Sequence, residues 1–337
     1  MLKVAVVGTG FFSTHHYDAW SRCPDAEIVG IATLDCKGRK DIASAYGIPS
    51  VFDDLRQLIA ATKPDLVDLV VPPQAHAALI EIAIDHGVDV ICQKPFCSSL
   101  AEAERMVALA EETENTLLVH ENFRFQPWYG VLKENLPRLG RIYQATFRLR
   151  PGDGQGADAY MSRQPYFQSM ERFLVHETAI HLVDVARYLL GDPRNVIADL
   201  RQLNPAISGE DAGLILMDVG DGVRVVIDGN RLSDHPAENR RRTMGEVLIE
   251  GEFGVLSLNG DADIHFRAHG TNDSEPINYE WQDRGFGGDC VYRFIKHAVN
   301  HLLQDKPAQT TARDYLTNLR IEEAVYRSSE EGIRVNL

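Results

Sequence analysis

The chain lacks the long apolar runs of a membrane protein: no stretch approaches the roughly 20 consecutive apolar residues that a spanning helix needs. Positive charge is also scarce. Against 49 Asp and Glu stand 34 Lys and Arg, a formal net charge of -15, and such a surface repels nucleic-acid phosphates and anionic lipid. A small molecule is therefore the expected partner, with no nucleic acid and no membrane. Cysteine is sparse and unpaired: Cys23, Cys36, Cys92, Cys97 and Cys290 are odd in number and show no metal spacing, as expected of free thiols in a reducing compartment. There is no internal repeat and no low-complexity tract. A strand is expected from Leu2, which leaves no room for a leader, so the cytoplasm is the expected location. What remains is 337 residues with 44% hydrophobic content, enough for a sizeable core and about two domains.

Up to about residue 120 the chain alternates strand and helix. Leu2 to Val7, Glu27 to Ala32, Leu66 to Val71, Val88 to Cys92 and Thr116 to His120 are short β-rich runs without polar alternation, as in strands covered on both faces. Helices are predicted over Ala75 to His86, closed by Gly87, and over Leu100 to Thr113, entered through Ser98 and Ser99. Such β-α units imply a parallel, right-handed, doubly wound sheet. After Arg124 the pattern changes. A helix is predicted near Glu171 to Leu190, then strands over Arg194 to Leu203, Gly213 to Val219, Arg224 to Ile227, Glu246 to Ile249, Val255 to Leu258 and Ile264 to Phe266. Turns such as Gly220-Asp221-Gly222 make neighbours antiparallel. Helices follow over Gly288 to Leu303 and Ala312 to Glu331. The fold class read from this is α/β: an N-terminal doubly wound domain over 1–121, and over 122–337 an α+β domain with a large open, mainly antiparallel sheet.

The run Val4-Ala5-Val6-Val7-Gly8-Thr9-Gly10-Phe11-Phe12-Ser13 carries a dinucleotide-loop pattern. Gly8 allows the tight turn out of the strand, Gly10 lets backbone approach a pyrophosphate, and a helix amino end starting near Phe11 and Phe12 supplies N–H donors. Ser13 takes the position where glycine or alanine is usual. Following a strand, opening a helix and starting a series of β-α units, the motif predicts a dinucleotide-binding Rossmann domain. An acidic residue about 20 positions on usually reads the ribose; the second strand ends Thr33-Leu34-Asp35, with Lys37, Arg39 and Lys40 close by. Asp35 favours NAD, while the three cations keep NADP open. Lys94, at the carboxyl end of a later strand of the same sheet, stands where ligands bind in such folds. It is the leading catalytic candidate.

The second cluster is Glu177-Thr178-Ala179-Ile180-His181-Leu182-Val183-Asp184. On an α-helix Glu177 and His181 share a face, and Asp184 stands within reach of the imidazole. A base beside a carboxylate suits proton abstraction from a hydroxyl. His176 and His181 lie about 140° apart round an α-helix, which sets aside a zinc pair; no metal is expected. A histidine packed beneath a sheet with a structural partner is the plainer alternative.

Taken together, Gly8-Thr9-Gly10, His16, Pro72 with His76, Gln93-Lys94-Pro95, His120-Glu121-Asn122-Phe123-Arg124-Phe125-Gln126-Pro127, His181-Leu182-Val183-Asp184 and Gly287-Gly288-Asp289 resemble the glucose-fructose oxidoreductase and inositol dehydrogenase (Gfo/Idh/MocA) family over nearly the whole chain. The resemblance implies an NAD(P)-dependent oxidoreductase acting on CH–OH groups of sugars, with Pro72, His76, Gln93 and Asn122 among its cofactor contacts. It also implies a C-terminal sheet used for substrate and for homo-oligomer contacts, as a dimer or tetramer. The family's lysine maps onto Lys94, its catalytic histidine onto His181, and its aspartate four residues earlier onto Glu177. Three departures stand out: Gln93 where Glu is usual, Glu177 for Asp, and Thr33 where many members keep an acid. Within the family, Gln93-Lys94-Pro95-Phe96-Cys97 followed by His120 to Trp128 is most similar to members that oxidise the anomeric carbon of D-apiose, a branched pentose, to a lactone.

The mechanism expected is hydride transfer from a sugar carbon to nicotinamide. His181 takes the hydroxyl proton while Lys94 donates to the same oxygen. Asn122 and Arg124 are placed to contact substrate or cofactor, or equally to form linker ion pairs; Arg163, Tyr166 and Phe286 are loop candidates for sugar contacts. Two other classes keep parts of this pattern. A non-catalytic NAD(P)-binding regulator needs Gly8 and Gly10 alone, and a sugar epimerase or hydro-lyase with tightly bound NAD keeps the whole set.

Overall fold

The structure, a computed structural model, describes residues 1–337, with the side chain of Cys36 outside the described residues. It forms two compact units: Met1–Asn122 with Cys290–Leu319, and Phe123–Asp289 with Arg320–Leu337. Each is described by itself.

In the first unit the chain runs β1 (Leu2–Val7), α1 (Ser13–Ser21), β2 (Ala26–Ala32), α2 (Cys36–Tyr46), β3 (Val51–Phe52), α3 (Leu55–Thr62), β4 (Leu66–Leu69), α4 (His76–Asp85), β5 (Asp89–Gln93), α5 (Leu100–Glu112) and β6 (Leu117–His120). The strands pair in the order β3-β2-β1-β4-β5-β6, all parallel. The order reverses between β1 and β4, and in such sheets a crevice opens at that point beyond the strand ends. β4 and β6 are buried along their whole length and β1 everywhere but Lys3, which is why these strands are mainly apolar without strict alternation. Helix ends follow their local chemistry. The Ser99 hydroxyl accepts from Glu102 N at 3.2 Å while the Glu102 carboxylate accepts from Ser98 N at 2.8 Å, and Asp35 caps α2.

The second unit begins with α6 (Pro127–Asn135) and β7 (Ile142–Leu149). A π turn over Leu174–Ala179 leads into α7 (Ile180–Leu190), followed by β8 (Asn195–Arg201), β9 (Ala212–Gly220), β10 (Val223–Asn230), β11 (Gly245–Gly251), β12 (Gly254–Leu258), β13 (Ile264–Ala268) and β14 (Glu275–Ile277). After α8 (Cys290–Gln304) and α9 (Ala312–Glu331), β15 (Val335–Asn336) completes a nine-stranded sheet ordered β14-β13-β12-β11-β7-β10-β9-β8-β15. Only β7 with β10 is a parallel pair; the others are antiparallel. Burial alternates along β10, β11 and β12. One face packs Ala145, Phe147, Ile215, Met217, Val225, Ile227 and Ile249 into a core with Val183, Ala186 and Val325 of the helices, and the other stays open.

Three differences from the sequence reading have physical causes. The units are not one cut at Asn122, because Cys290–Leu319 packs with the first unit. There Arg22 lies 4.3 Å over the Tyr292 ring, Phe294 meets His120 at 4.5 Å, and Val119 N donates to Thr310 O at 2.9 Å. β7, at the middle of the second sheet, was not anticipated: its polar Gln144, Thr146 and Arg148 interrupt the apolar signal. The helix expected over Glu171 to Leu190 is α-helical only from Ile180. Glu210 Oε1 accepts from Phe173 N and Val175 N at 3.1 and 3.0 Å, drawing off amides at the helix entrance, and the first turn widens to π. Among the described residues no helix is long and apolar enough to cross a membrane.

Candidate active site

The glycine loop sits at the switch point of the parallel sheet. Gly8 has φ 111°, and a Cβ there would lie 2.1 Å from Val70 O, so only glycine lets the loop pass the end of β4. Gly8 N donates to Ala32 O at 2.9 Å and Tyr17 Oη to Gly8 O at 2.9 Å, which fixes the turn. Gly10 is different: a Cβ there meets nothing within 4 Å, so its backbone faces the open space that a pyrophosphate needs. α1 starts at Ser13, two residues later than the sequence suggests. Ser13 is buried and donates to Gly10 O at 2.7 Å, and Phe11 is 55% exposed at the loop tip. This cradle fits a dinucleotide.

Around the ribose-reading position, Thr9 and Thr33 share a hydroxyl contact of 3.2 Å, and Asp35 N donates to Thr33 Oγ1 at 3.3 Å. One Asp35 oxygen caps α2 by accepting from Lys37 N at 3.1 Å. The other lies over Gly38, where a Cβ would stand 2.4 Å from Asp35 Oδ2 and 2.8 Å from Thr9 Oγ1. The carboxylate is thus held beside the glycine loop. Arg39 and Lys40 line a cleft with Val51, Phe52, Asp53 and Gln57 at the β3 edge. After β4, Pro72 opens a short turn, and His76 Nε2 donates to Val71 O at 2.8 Å with its basicity lowered by burial. Asn122 is 3% exposed and its Nδ2 has no hydrogen-bond partner, an unmet donor of the kind a bound group satisfies.

Gln93, which departs from the family's Glu, belongs to a buried chain of hydrogen bonds. Its Oε1 accepts from Lys94 N at 2.8 Å, and its Nε2 donates to His16 Nε2 at 3.3 Å. His16 Nδ1 in turn donates to Asp68 Oδ2 at 2.8 Å, which also accepts from Trp20 Nε1 at 2.7 Å. Every donor in this sequence points towards Asp68. An amide supplies acceptor and donor at once, whereas an ionised carboxylate at position 93 only accepts. Gln93 is thus matched to His16 and fixes the main chain at Lys94. Sequence reading noted His16 but missed Asp68 and Trp20; the signal was an aspartate inside the apolar run Leu66-Val67-Asp68-Leu69.

In the second unit His181 is buried and stacks on Phe123, with centroids 4.0 Å apart and rings 4° from parallel; Phe286 closes against Phe123 at 5.9 Å. Arg124 Nε and Nη2 donate to the two Asp184 oxygens at 2.7 and 2.5 Å, with the side chains 8% and 0% exposed. This is an ion pair of the kind the sequence left open for Arg124 beside contact with substrate or cofactor. Glu177 lies in the π turn and Tyr166 in the segment after β7. Partial enclosure and then the Glu177 carboxylate raise the Tyr166 phenol above its ordinary range. Gln164 Nε2 donates to Tyr166 Oη at 3.0 Å and Arg163 Nη2 to Asp153 Oδ2 at 3.4 Å. His176 Nδ1 bonds Glu322 Oε1 at 2.6 Å, and among the described residues no group of three or more His, Cys, Asp or Glu is arranged to hold a metal. Sequence reading missed Asp153, Gln164, Glu210 and Arg231, polar residues scattered through loops and strand ends with no shared motif.

Comparison with known proteins identifies the family. Residues 2–121 match the oxidoreductase family with an NAD-binding Rossmann fold, and residues 133–337 match that family's C-terminal alpha/beta domain. The chain is 35% identical to a D-apiose dehydrogenase of Paraburkholderia graminis, covering 99% of this chain and 89% of that protein. It is 32% identical to a D-apiose dehydrogenase of Rhizobium rhizogenes, covering 100% and 97%. A crystal structure of an oxidoreductase from Agrobacterium radiobacter, in complex with NAD+, L-tartaric acid and magnesium, superposes with TM-score 0.88 at 30% identity over 99% of this chain and 98% of that one. With both of its halves matched, the chain belongs to the Gfo/Idh/MocA family of NAD(P)-dependent sugar dehydrogenases.

Proposed function

We propose that this chain oxidises the anomeric carbon of D-apiose or a closely related pentose to a lactone. The observation that carries the substrate is the full-length likeness to two D-apiose dehydrogenases. Bound NAD supplies the hydride acceptor. Gly8, Gly10, Phe11 and Phe12 receive its pyrophosphate, Thr33 and Asp35 its ribose, and Pro72, His76, Gln93, Lys94 and Asn122 its nicotinamide half. His181 takes the proton of the reacting hydroxyl, and Lys94 donates to the same oxygen and stabilises its developing charge. The Phe123 stack holds the imidazole plane, and the chain Asp68–His16–Gln93 holds the backbone of Lys94. Glu177 and Tyr166 bind the sugar's other hydroxyls, with Arg163 and Phe286 as further candidates for sugar contact. Arg124 serves this face through Asp184.

The test is a screen of pentoses and hexoses with NAD and NADP, following absorbance of the reduced cofactor. Net NADH from D-apiose supports the reading, whereas product without net NADH points to a closed redox cycle, as in an epimerase or hydro-lyase. We further propose a cytoplasmic homo-oligomer. Buried free thiols at Cys23, Cys92, Cys97 and Cys290 fit a reducing compartment. The open face of the second sheet carries an in-register row, Ile197, Leu216, Val226, Thr146 and Leu248, that a second copy would cover. Sedimentation of the purified chain tests it.

A further inference from the structure

We propose that Arg231 is a positioning residue for the sugar: it fastens the segment Gly152–Ser169, which carries Tyr166, to the π turn, which carries Glu177. The proposal rests on the reading of that face given above. The segment joins β7 to the π turn without a strand or α-helix of its own, a length of irregular chain that compact domains rarely keep without a task. Arg231 follows β10 and is 1% exposed. Its Nε donates to Tyr160 Oη at 2.8 Å and Asp153 Oδ1 at 3.3 Å, and its Nη2 to Asp153 Oδ2 at 3.1 Å. Its Nη1 donates to Thr178 Oγ1 at 2.6 Å. Thr178 is the neighbour of Glu177 in the π turn; Asp153 and Tyr160 belong to the segment. One guanidinium therefore ties both pieces.

The rings of Phe173, Tyr160 and Phe167 stand 4.5, 5.1 and 5.6 Å from Arg231 Cζ, and Phe167 packs edge-on to Tyr166 at 4.9 Å. The route from the guanidinium to the sugar-facing phenol is thus one ring long. Arg163, through its own contact with Asp153, is held by the same carboxylate. Tyr160 adopts φ 69°, a left-handed conformation costly for a tyrosine, kept where its hydroxyl meets Arg231. Burying a cation needs such partners, and only the fork geometry of arginine reaches all of them; an ammonium is a single point.

The experiment is steady-state kinetics on full-length Thr178→Val and Arg231→Lys, with NAD and the pentose turned over fastest in the screen. A displacement of about 1 Å in a binding face costs up to roughly a hundredfold, so we expect the sugar KM to rise roughly tenfold or more in Arg231→Lys and roughly threefold in Thr178→Val. The KM for NAD should stay within about twofold of wild type, because the cofactor loop belongs to the other unit. Thr178→Val removes one acceptor at nearly constant volume and decides the matter where Arg231→Lys fails to fold. Variants that fold with unchanged sugar KM, or that raise both KM values equally, overturn the proposal. Tyr166→Phe and Glu177→Gln separate it from the reading beneath. If these raise the sugar KM while the Arg231 and Thr178 variants do not, positioning alone falls; if they leave it unchanged, the sugar face falls and positioning with it.

Discussion

The two sheets of this chain solve burial differently. In the first, β1, β4 and β6 are buried almost throughout, so polar groups appear chiefly at strand ends or in a buried hydrogen-bonded chain such as Asp68–His16–Gln93. In the second, β10, β11 and β12 bury one face, and the segments around it carry buried guanidinium–carboxylate pairs, Arg124 with Asp184 and Arg231 with Asp153. A doubly covered sheet offers chemistry through its loops. A singly covered one supplies a platform whose buried charges set the geometry of the segments laid over it.

Breaking one charge in the second unit should give the largest stability effect. Asp184→Ala strands a guanidinium that is 8% exposed, and removing one partner of a buried pair costs about 3–5 kcal/mol. Asp68→Asn in the first unit keeps an acceptor for Trp20 and His16 and should cost less, roughly 1–3 kcal/mol. Urea unfolding of both measures the contrast, and equal losses erase it. Next in size is Lys94→Ala. If Lys94 stabilises the reacting oxygen, kcat falls by roughly 10²- to 10³-fold while NAD affinity, titrated by fluorescence quenching, changes far less. A mutant within a few-fold of wild type removes Lys94 from the chemistry.

This contrast also explains what could be read from the sequence. Unbroken apolar strands announce themselves, and Leu66-Val67-Asp68-Leu69 was legible as β4 even with an aspartate inside it. Alternating strands are fainter: β7 was passed over although it links the parallel and antiparallel parts of the second sheet. The fold's glycines were legible because Gly8 has a steric reason to be glycine. The π turn was not, since its cause is Glu210, more than thirty residues downstream, accepting from Phe173 and Val175. Lys94, Glu177 and His181 were named from motif and spacing. Their supports, Gln93 through His16, Phe123 through ring stacking and Thr178 through Arg231, depend on pairings that only the folded chain makes.

A smaller effect is expected at the ribose. Asp35 Oδ2 is held beside Thr9, and a carboxylate there opposes a 2'-phosphate, so kcat/KM for NAD should exceed that for NADP by roughly tenfold or more. Asp35→Ala should narrow the ratio. The reverse preference in the wild type would assign Lys37 and Arg39 to phosphate recognition.

The smallest effect is an expected absence of reaction, and it probes coverage directly. Cys97 is 3% exposed and burial pushes its thiol up to about 12, with Glu102 adding to the rise. The thiolate is the nucleophile, so at pH 8 only about one thiol in 10⁴ is ionised, and iodoacetamide should leave Cys97 unmodified in the native protein. Because the raised value keeps Cys97 protonated throughout the neutral range, its labelling rate should climb roughly tenfold per pH unit between pH 7 and 10. Mass spectrometry of the peptide carrying Cys92 and Cys97 reads both. On the second sheet, Val226→Cys places a thiol in the middle of the open apolar row. It should label quickly in a monomer and slowly where a second copy lies across the face. Fast labelling of Cys97 would deny the burial of the turn between β5 and α5, and fast labelling of Val226→Cys at every protein concentration would deny that a second copy covers the open face of the second sheet.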